Sequence, residues 1–434
     1  MSAVPSRILV IGGGPAGMMA AGTAAEAGAG VTLVERMDRP GRKLRITGKG
    51  RCNLTNADLM ETFPKRFRSG GRFLRSAFHR FSDQDLVAFM ADLGVTTVVE
   101  RGQRVFPESG DAREVVQALR SWILRLGVRI ETGLRVSGIT VRQGRACGLE
   151  AIGADGRPQS RAGAAVVLAA GGSSYPATGS SGDGFQLAES LGHRIVPVHP
   201  GLVPLETSGD RAARLQGLSL RNVGLQVRIE GKKRFEEFGE LVFTHFGLSG
   251  PAVLTVSSKI VQALRQGQSV TACLDLKPAL DETKLDRRLQ RDLAERGGQK
   301  LQNLLRGLLP AKLVPVCLED VGLSAETLGS QVTAEERKRL RLWLKDCRFE
   351  VVGSRSWPEA IVTVGGVELS QVDPRTLRSK LVQGLFLAGE VLNVDADTGG
   401  FNLQAAFSTG RLAGLSAAAE VLSKPEASAG EPLG

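Results

Sequence analysis

The chain holds one tyrosine, three tryptophans and four histidines in 434 residues, so little aromatic or imidazole chemistry is on offer. Cysteine is scarce as well. Cys52, Cys147, Cys273, Cys317 and Cys347 are odd in number and widely spread, with no CxxC pair among them. That argues against a disulfide framework and gives a zinc site no support, and it points to a reducing cytoplasm. Long apolar runs are missing: Ala164–Ala170 falls far short of the roughly 20 residues of a membrane-spanning helix. The N-terminus passes from Ile8-Leu9-Val10-Ile11 straight into glycines without a cleavage site, so a secretory signal is not expected. Acids are in deficit, 45 against 56 Lys and Arg, and the resulting net charge of +11 points to an anionic partner or to a generally basic surface.

What is present begins with one βαβ unit. Arg7–Ile11 is a short β-branched run, a glycine turn follows, and an Ala-rich helical stretch covers about 15–27. Val31–Val34 reads as the second strand and ends on Glu35. Helical periodicity returns at Gln84–Leu93, Ala112–Leu126 and Asp183–Leu191, with strand-like runs at Val128–Glu131, Leu134–Val141, Ala146–Ala151 and Ala165–Ala169. From about Pro197 the chain becomes β-rich (Leu218–Ile229, Gly239–Thr244, Ser269–Leu276), then charged and helical from about Pro278 to Leu344. After Phe349–Gly353 the glycine-rich strand–turn style returns, ending in a long helix over about 402–422. The expected organisation is an α/β cofactor domain made from 1–196 and 354–424, with an inserted β-barrel-like module at 197–277 and 345–353. A small helical module at 278–344 and a disordered tail at 425–434 complete it.

Gly12, Gly14 and Gly17 form G-x-G-x-x-G between a strand and a helix. The first permits a tight turn, the second lets backbone approach a pyrophosphate, and the third lets helix and strand pack closely. Pro15 and Ala16 open the helix whose free N–H groups face the phosphates. Glu35, followed by Arg36, is placed to accept from ribose hydroxyls. This pattern suits NAD or FAD. Three later segments favour FAD: Ala169-Ala170-Gly171-Gly172 after an apolar strand, Gly389-Glu390 after Leu387-Ala388, and Thr398-Gly399-Gly400-Phe401-Asn402-Leu403 opening the last helix. The N–H groups of that helix can face a flavin pyrimidine edge and offset the charge of reduced flavin. Arg42, Lys43 and Val136 complete the expected cofactor set, and no second G-x-G-x-x-G follows a strand, so NAD(P)H would visit as a transient reductant.

Several stretches carry a family resemblance. Gly41 to Asn56 (GRKLRITGKGRCNLTN), Arg104-Val105-Phe106-Pro107, Tyr175 to Ser180 (YPATGS), Phe243 to Pro251 (FTHFGLSGP), Val362 to Val367 (VTVGGV) and Gly389-Glu390 through Gly410 resemble the HI0933/YhiN-like (BaiN/RdsA-type) flavoprotein family over nearly the whole chain. The resemblance implies a glutathione-reductase-type FAD-binding Rossmann domain interrupted by a β-rich and a helical module. It also implies an oxidoreductase acting on conjugated C=C bonds, either steroid-type or the uracil ring of ribosomal RNA. Two stretches depart from the family. Leu392-Asn393-Val394-Asp395-Ala396 stands where it has Leu-Asp-Val-Asp-Gly, and Thr376-Leu377-Arg378-Ser379-Lys380 where it has Thr-Met-Glu-Ser-Lys.

A reductase of this kind needs an acid to protonate the second carbon. Cys52 is one candidate, since a thiol between Lys49 and Arg51 would have a lowered pKa if those charges approach it. Tyr175, after the flavin-side glycine turn, is a second, and His245, in a glycine-rich loop of the insertion, is a third. His79, His193 and His199 have no special context. Between Arg39 and Arg80 there are twelve Lys and Arg against Asp58 and Glu61. The second six (Lys65, Arg66, Arg68, Arg72, Arg75, Arg80) interleave with Phe67, Phe73 and Phe78, as in a face that binds single-stranded RNA, or in an amphipathic segment whose rings are core. A second basic stretch, Arg211–Arg234, has seven Lys and Arg and one Glu. RNA as substrate leads, a small-molecule enone is the alternative, and a non-catalytic FAD-binding module is a third reading.

Overall fold

The computed structural model describes residues 7–423, and the tail expected at 425–434 lies outside them. The described chain divides into two compact units, one from the two ends (to Pro200 and from Ile361) and one spanning Gly201–Ala360. The first is organised by five parallel strands in the order Leu385–Leu387, Ala165–Leu168, Arg7–Ile11, Gly30–Glu35, Arg129–Thr132. Ile8, Leu9, Val10 and Val166 to Leu168 are buried on both faces, which is why these strands read as continuous apolar runs instead of alternating ones. An antiparallel sheet of Leu134–Arg142, Arg145–Gly153 and Pro158–Ala162 lies in the same unit.

Helix Pro15–Glu26 crosses the closing helix Phe401–Leu422 at very short range. A Cβ at Gly410 would lie 2.3 Å from the Ala16 carbonyl oxygen, and one at Gly414 would lie 2.4 Å from that of Ala20. Only small residues permit this approach, and it holds the helix after the first strand against the last helix of the chain.

The second unit is built on a closed six-stranded barrel in the order Leu205–Thr207, Gly247–Ser249, Lys232–Phe243, Ser219–Ile229, Val270–Asp275, Cys347–Ser354. Strand Lys232–Phe243 starts well before the Gly239 expected from the sequence, because its alternation is polar-out and rests on hairpin pairing with Ser219–Ile229. Helices Glu282–Glu295, Val314–Val321 and Ala334–Lys345 share one hydrophobic core with the barrel: Leu225 and Phe243 belong to the same buried cluster as Leu289, Leu318 and Leu344. Among the described residues no helix is long and apolar enough to cross a membrane.

Candidate cofactor site

The three glycines of the first turn do three different jobs. Gly12 has φ +102, and its N–H donates to the Val34 carbonyl at 2.8 Å, hooking the turn onto the second strand. A Cβ at Gly17 would lie 1.8 Å from the Gly12 carbonyl oxygen, so this glycine is a packing requirement. At Gly14 a Cβ would meet nothing within 4 Å. The position therefore keeps open space directly at the helix N-terminus, where Met18 N–H to Gly14 C=O is the first helical bond and the preceding N–H groups have no helical acceptor. Open space, free donors and the positive end of the helix together fit a pyrophosphate.

Glu35 is buried at the end of its strand. Its Oε2 accepts from Gly13 N–H at 2.7 Å and its Oε1 from Met37 N–H at 2.8 Å, so it braces the glycine turn. Burial pushes its carboxyl above the usual carboxylate range, partly offset by those two bonds. Arg36 pairs with Asp183 at 3.1 Å and also bonds Ser181, while Arg42 pairs with Asp38 at 3.1 Å. Val136 is buried in the antiparallel sheet.

A second group of polar residues comes from four distant parts of the chain. Lys43 Nζ donates to Glu390 Oε2 at 2.7 Å and to Ser174 Oγ at 2.5 Å. Glu390 Oε1 accepts from Thr363 N–H at 2.7 Å, and Thr363 Oγ1 accepts from Ser173 N–H at 2.8 Å. Gly172 fits only because it lacks a Cβ, which would lie 2.2 Å from Thr363 Oγ1. Gly171 turns the chain here with φ +75, beside the half-buried Ala170. Gly389 approaches Ala16 closely (2.7 Å for a Cβ at Gly389), and its N–H donates to Thr409 Oγ1 at 3.0 Å. The glycine turn, the Gly389-Glu390 segment and the closing helix thus meet at the start of helix Pro15–Glu26. Ser174, Thr363 and Thr409 were not singled out from the sequence. Their roles depend on partners up to 216 residues away, and only their neighbourhood in glycine-rich motifs hinted at them.

The closing helix begins at Gly399 and Gly400, with φ +129 and +104. A Cβ at Gly400 would lie 2.3 Å from the Thr55 carbonyl oxygen. With its amide turned so that both ends are satisfied, Asn53 accepts from Gly400 N–H at 3.0 Å and donates to the carbonyls of Thr55 and Val105. The first helical bond runs from Gln404 N–H to Gly400 C=O, so the N–H groups of Phe401, Asn402 and Leu403 precede the ladder. The Asn402 side chain is committed to the protein: Oδ1 accepts from Ala396 N–H at 2.9 Å and Nδ2 donates to Ala396 C=O at 3.1 Å. Phe401 is a core ring, edge-on to Phe63 at 5.1 Å.

The three candidate acids end in different settings. Cys52 is fully buried, and burial pushes its thiol up to about 12. The expectation of a lowered pKa is corrected: Arg51 is drawn away to Glu100 and to the face of Phe106, 4.3 Å from the ring centroid. Tyr175 is half-buried and left-handed (φ +53), in the turn closed by Thr178 N–H to its carbonyl at 2.9 Å. His245 is exposed in the second unit, on a turn closed by Thr244 N–H to Gly247 C=O at 2.8 Å, with its ring edge-on to Phe246.

The stacking face expected between 65 and 80 is also corrected. Phe67 and Phe78 are 8% and 2% exposed and pack on each other and on Phe63, so these rings are core and Phe73 is half-buried against it. The amphipathic alternative holds, with Lys65, Arg66, Arg72, Arg75 and Arg80 exposed on the outer face. In the second basic stretch Arg211, Arg214, Arg228 and Lys233 are paired with Asp320, Glu319, Asp346 and Glu236. Among the described residues no group of His, Cys, Asp and Glu is arranged to hold a metal.

The comparisons with known proteins agree with this geometry. Residues 6–416 match the HI0933-like protein Rossmann domain. The chain is 33% identical over 420 residues to a 3-dehydro-bile acid delta(4,6)-reductase of Clostridium scindens, covering 95% of this chain and 99% of that one. It is 31% identical over 417 residues to a ribosomal RNA dihydrouridine synthase of Escherichia coli, covering 92% and 95%. In fold it is similar to the 3-ketosteroid delta1-dehydrogenase of Sterolibacterium denitrificans, with TM-score 0.53, 13% identity, and 95% and 99% of the two chains covered. The chain belongs to the HI0933-like family of FAD-dependent oxidoreductases.

Proposed function

We propose that the protein reduces a C=C bond conjugated to a carbonyl, that its substrate is a uracil ring in ribosomal RNA, and that NAD(P)H is the reductant. The observation that supports flavin chemistry is the meeting of the Gly14 cradle, the Gly389-Glu390 segment and the Thr409–Gly410 part of the closing helix at the start of helix Pro15–Glu26. The Gly14 cradle and Gly389-Glu390 would hold FAD, and the flavin, once reduced by NAD(P)H, would supply the hydride chemistry for one carbon of the double bond. The N–H groups of Phe401, Asn402 and Leu403, which precede the helical ladder, would offset negative charge on the ring. Lys43, fixed by Glu390 and Ser174, adds a positive charge whose position is set. Tyr175, half-buried on the turn that follows Gly171-Gly172, is the acid that would deliver the proton.

The two relatives are named for reductions of different carriers, a bile acid in one and ribosomal RNA in the other. The RNA reading is supported by Lys65, Arg72, Arg75 and Arg80, exposed and in no ion pair among the described residues. A small-molecule enone is the second reading, supported by the burial of Phe67 and Phe78, which leaves that face without rings for bases. Anaerobic titration with NADPH and then NADH tests the first step, and bleaching of the bound flavin is expected. Reoxidation by unmodified ribosomal RNA supports the RNA reading, and reoxidation by a steroid enone alone replaces it. A flavin that never bleaches leaves a binding module. In the active assay, Tyr175→Phe lowers the rate about 10²–10⁴-fold.

A further inference from the structure

We infer that Arg68 is a positioning residue for the flavin's pyrimidine edge, although its place in the sequence groups it with the cations of the outer face. The inference rests on the reading that FAD lies against the first turn of Phe401–Leu422. Arg68 belongs to strand Phe67–Ser69, which pairs antiparallel with Asp395–Ala396. Its Nε donates to Asp395 Oδ2 at 2.7 Å, and its two Nη groups donate to Asp397 Oδ1 at 3.2 Å and to Ala396 C=O at 3.1 Å. All three bonds fall on consecutive residues just before the Thr398-Gly399-Gly400 turn. Asp397 N–H adds a bond to Arg66 C=O at 3.0 Å. Asn402, within the first helical turn, then grips the same segment through Ala396 N–H and C=O. An unbroken hydrogen-bonded path therefore runs from Arg68 to the Asn402 side chain in the first turn of Phe401–Leu422, the turn read above as facing the flavin.

The burial of the pair argues for a role beyond holding the chain together. Asp395 is 1% exposed, and its Oδ1 makes no hydrogen bond. A carboxylate this deep is costly without a cation, and such a pair adds little net stability over an apolar one; what it fixes is geometry. Charge points the same way. Arg68 with Asp395 and Asp397 is one positive group among two negative ones, beside the turn that opens the helix. Removing the guanidinium leaves two carboxylates near the place where reduced flavin carries its negative charge, so the reduced form becomes less favoured.

The test is the midpoint potential of the purified flavin-loaded protein. Arg68→Met is expected to shift it negative by about 30 mV, a tenfold change in the ratio of reduced to oxidised form for a two-electron couple. Adding Asp395→Asn, which removes the stranded charge, should recover at least half of that shift. Arg145→Met breaks a partly buried pair, with Glu420 at the far end of the same helix, and should leave the potential where it was. A potential in Arg68→Met equal to that of the unaltered protein overturns the inference, as does an equal shift in Arg145→Met. If Arg68→Met does not accumulate as folded protein, Asp397→Asn carries the test: a positive shift supports the role and no shift overturns it. Unaltered protein that binds no FAD overturns instead the reading of the site on which this rests, and that is seen before any variant is made.

Discussion

At the scale of single residues, Gly14 and Gly17 separate what a glycine does for the fold from what it does for a ligand. Gly17 has the Gly12 carbonyl 1.8 Å from where its Cβ would be, and Gly14 has nothing within 4 Å. Gly14 also has ordinary extended backbone angles, φ −76 and ψ −178, that alanine adopts freely. Gly14→Ala is therefore expected to leave the unfolding free energy of the cofactor-free protein within about 0.5 kcal/mol, the range of substitutions that touch nothing. The same change should weaken FAD binding by about tenfold or more, because it fills the space the pyrophosphate needs. Gly17→Ala should yield no folded protein. Calorimetry of FAD binding and thermal melts of the two variants check both. Equal FAD affinity in Gly14→Ala would remove the cradle. Cys52 gives a second contrast. Its thiol, pushed up to about 12, stays protonated throughout the working range, and no solvent reaches it. Cys52→Ser should leave the pH–rate profile unchanged in shape and cost about 1–2 kcal/mol of stability, the usual price of disturbing a buried site. Loss of a titration step in that profile would restore the thiol to the chemistry.

At the scale of elements, the cofactor unit depends on how closely two helices cross. Gly410→Ala places a methyl 2.3 Å from the Ala16 carbonyl, and backbone cannot swing aside as a flexible side chain can. The change should cost about 1–3 kcal/mol, as overpacking does. It should also loosen FAD, because the displaced helix carries both the Thr409 support for Gly389 and the open first turn. Melting temperature and FAD release on dilution read the two effects separately. Much of this arrangement was legible in the sequence because it is local: strand, glycine turn and helix follow each other within 20 residues or so, and their spacing carries the physics. The segment from 63 to 80 was less legible. Phenylalanines among cations look the same whether the rings stack on bases or fill a core, and only Phe63 and Phe401 packing against them decides. Arg68 shows the limit most clearly, since the acids that claim it lie 327 and 329 residues away. The barrel closes through pairing of Leu205–Thr207 with Cys347–Ser354, again beyond any window that periodicity can read.

At the scale of the whole molecule, the question is what a net charge of +11 is for. The stretch Arg211–Arg234 is largely answered inside its own unit, by four ion pairs. Lys65, Arg72, Arg75 and Arg80 on the cofactor unit are not so answered, and they are among the exposed cations available to an anionic partner. For single-stranded RNA each neutralised phosphate adds about −0.7 to the slope of log K against log salt, so four such contacts predict a slope near −3. Replacing the four by alanine should flatten that slope towards zero and weaken RNA binding at low salt, while leaving FAD retention and reduction by NADPH untouched. These side chains project from the outer face, away from the buried rings, so the variant should fold. A small enone carries no such charge, and its turnover should be indifferent both to salt and to the four substitutions. The two measurements divide the readings without knowledge of the sequence context of the modified base. A steep slope that survives the substitutions would move the RNA face elsewhere on the basic surface, and a flat slope in the unaltered protein would leave the excess charge without an RNA role and favour the enone.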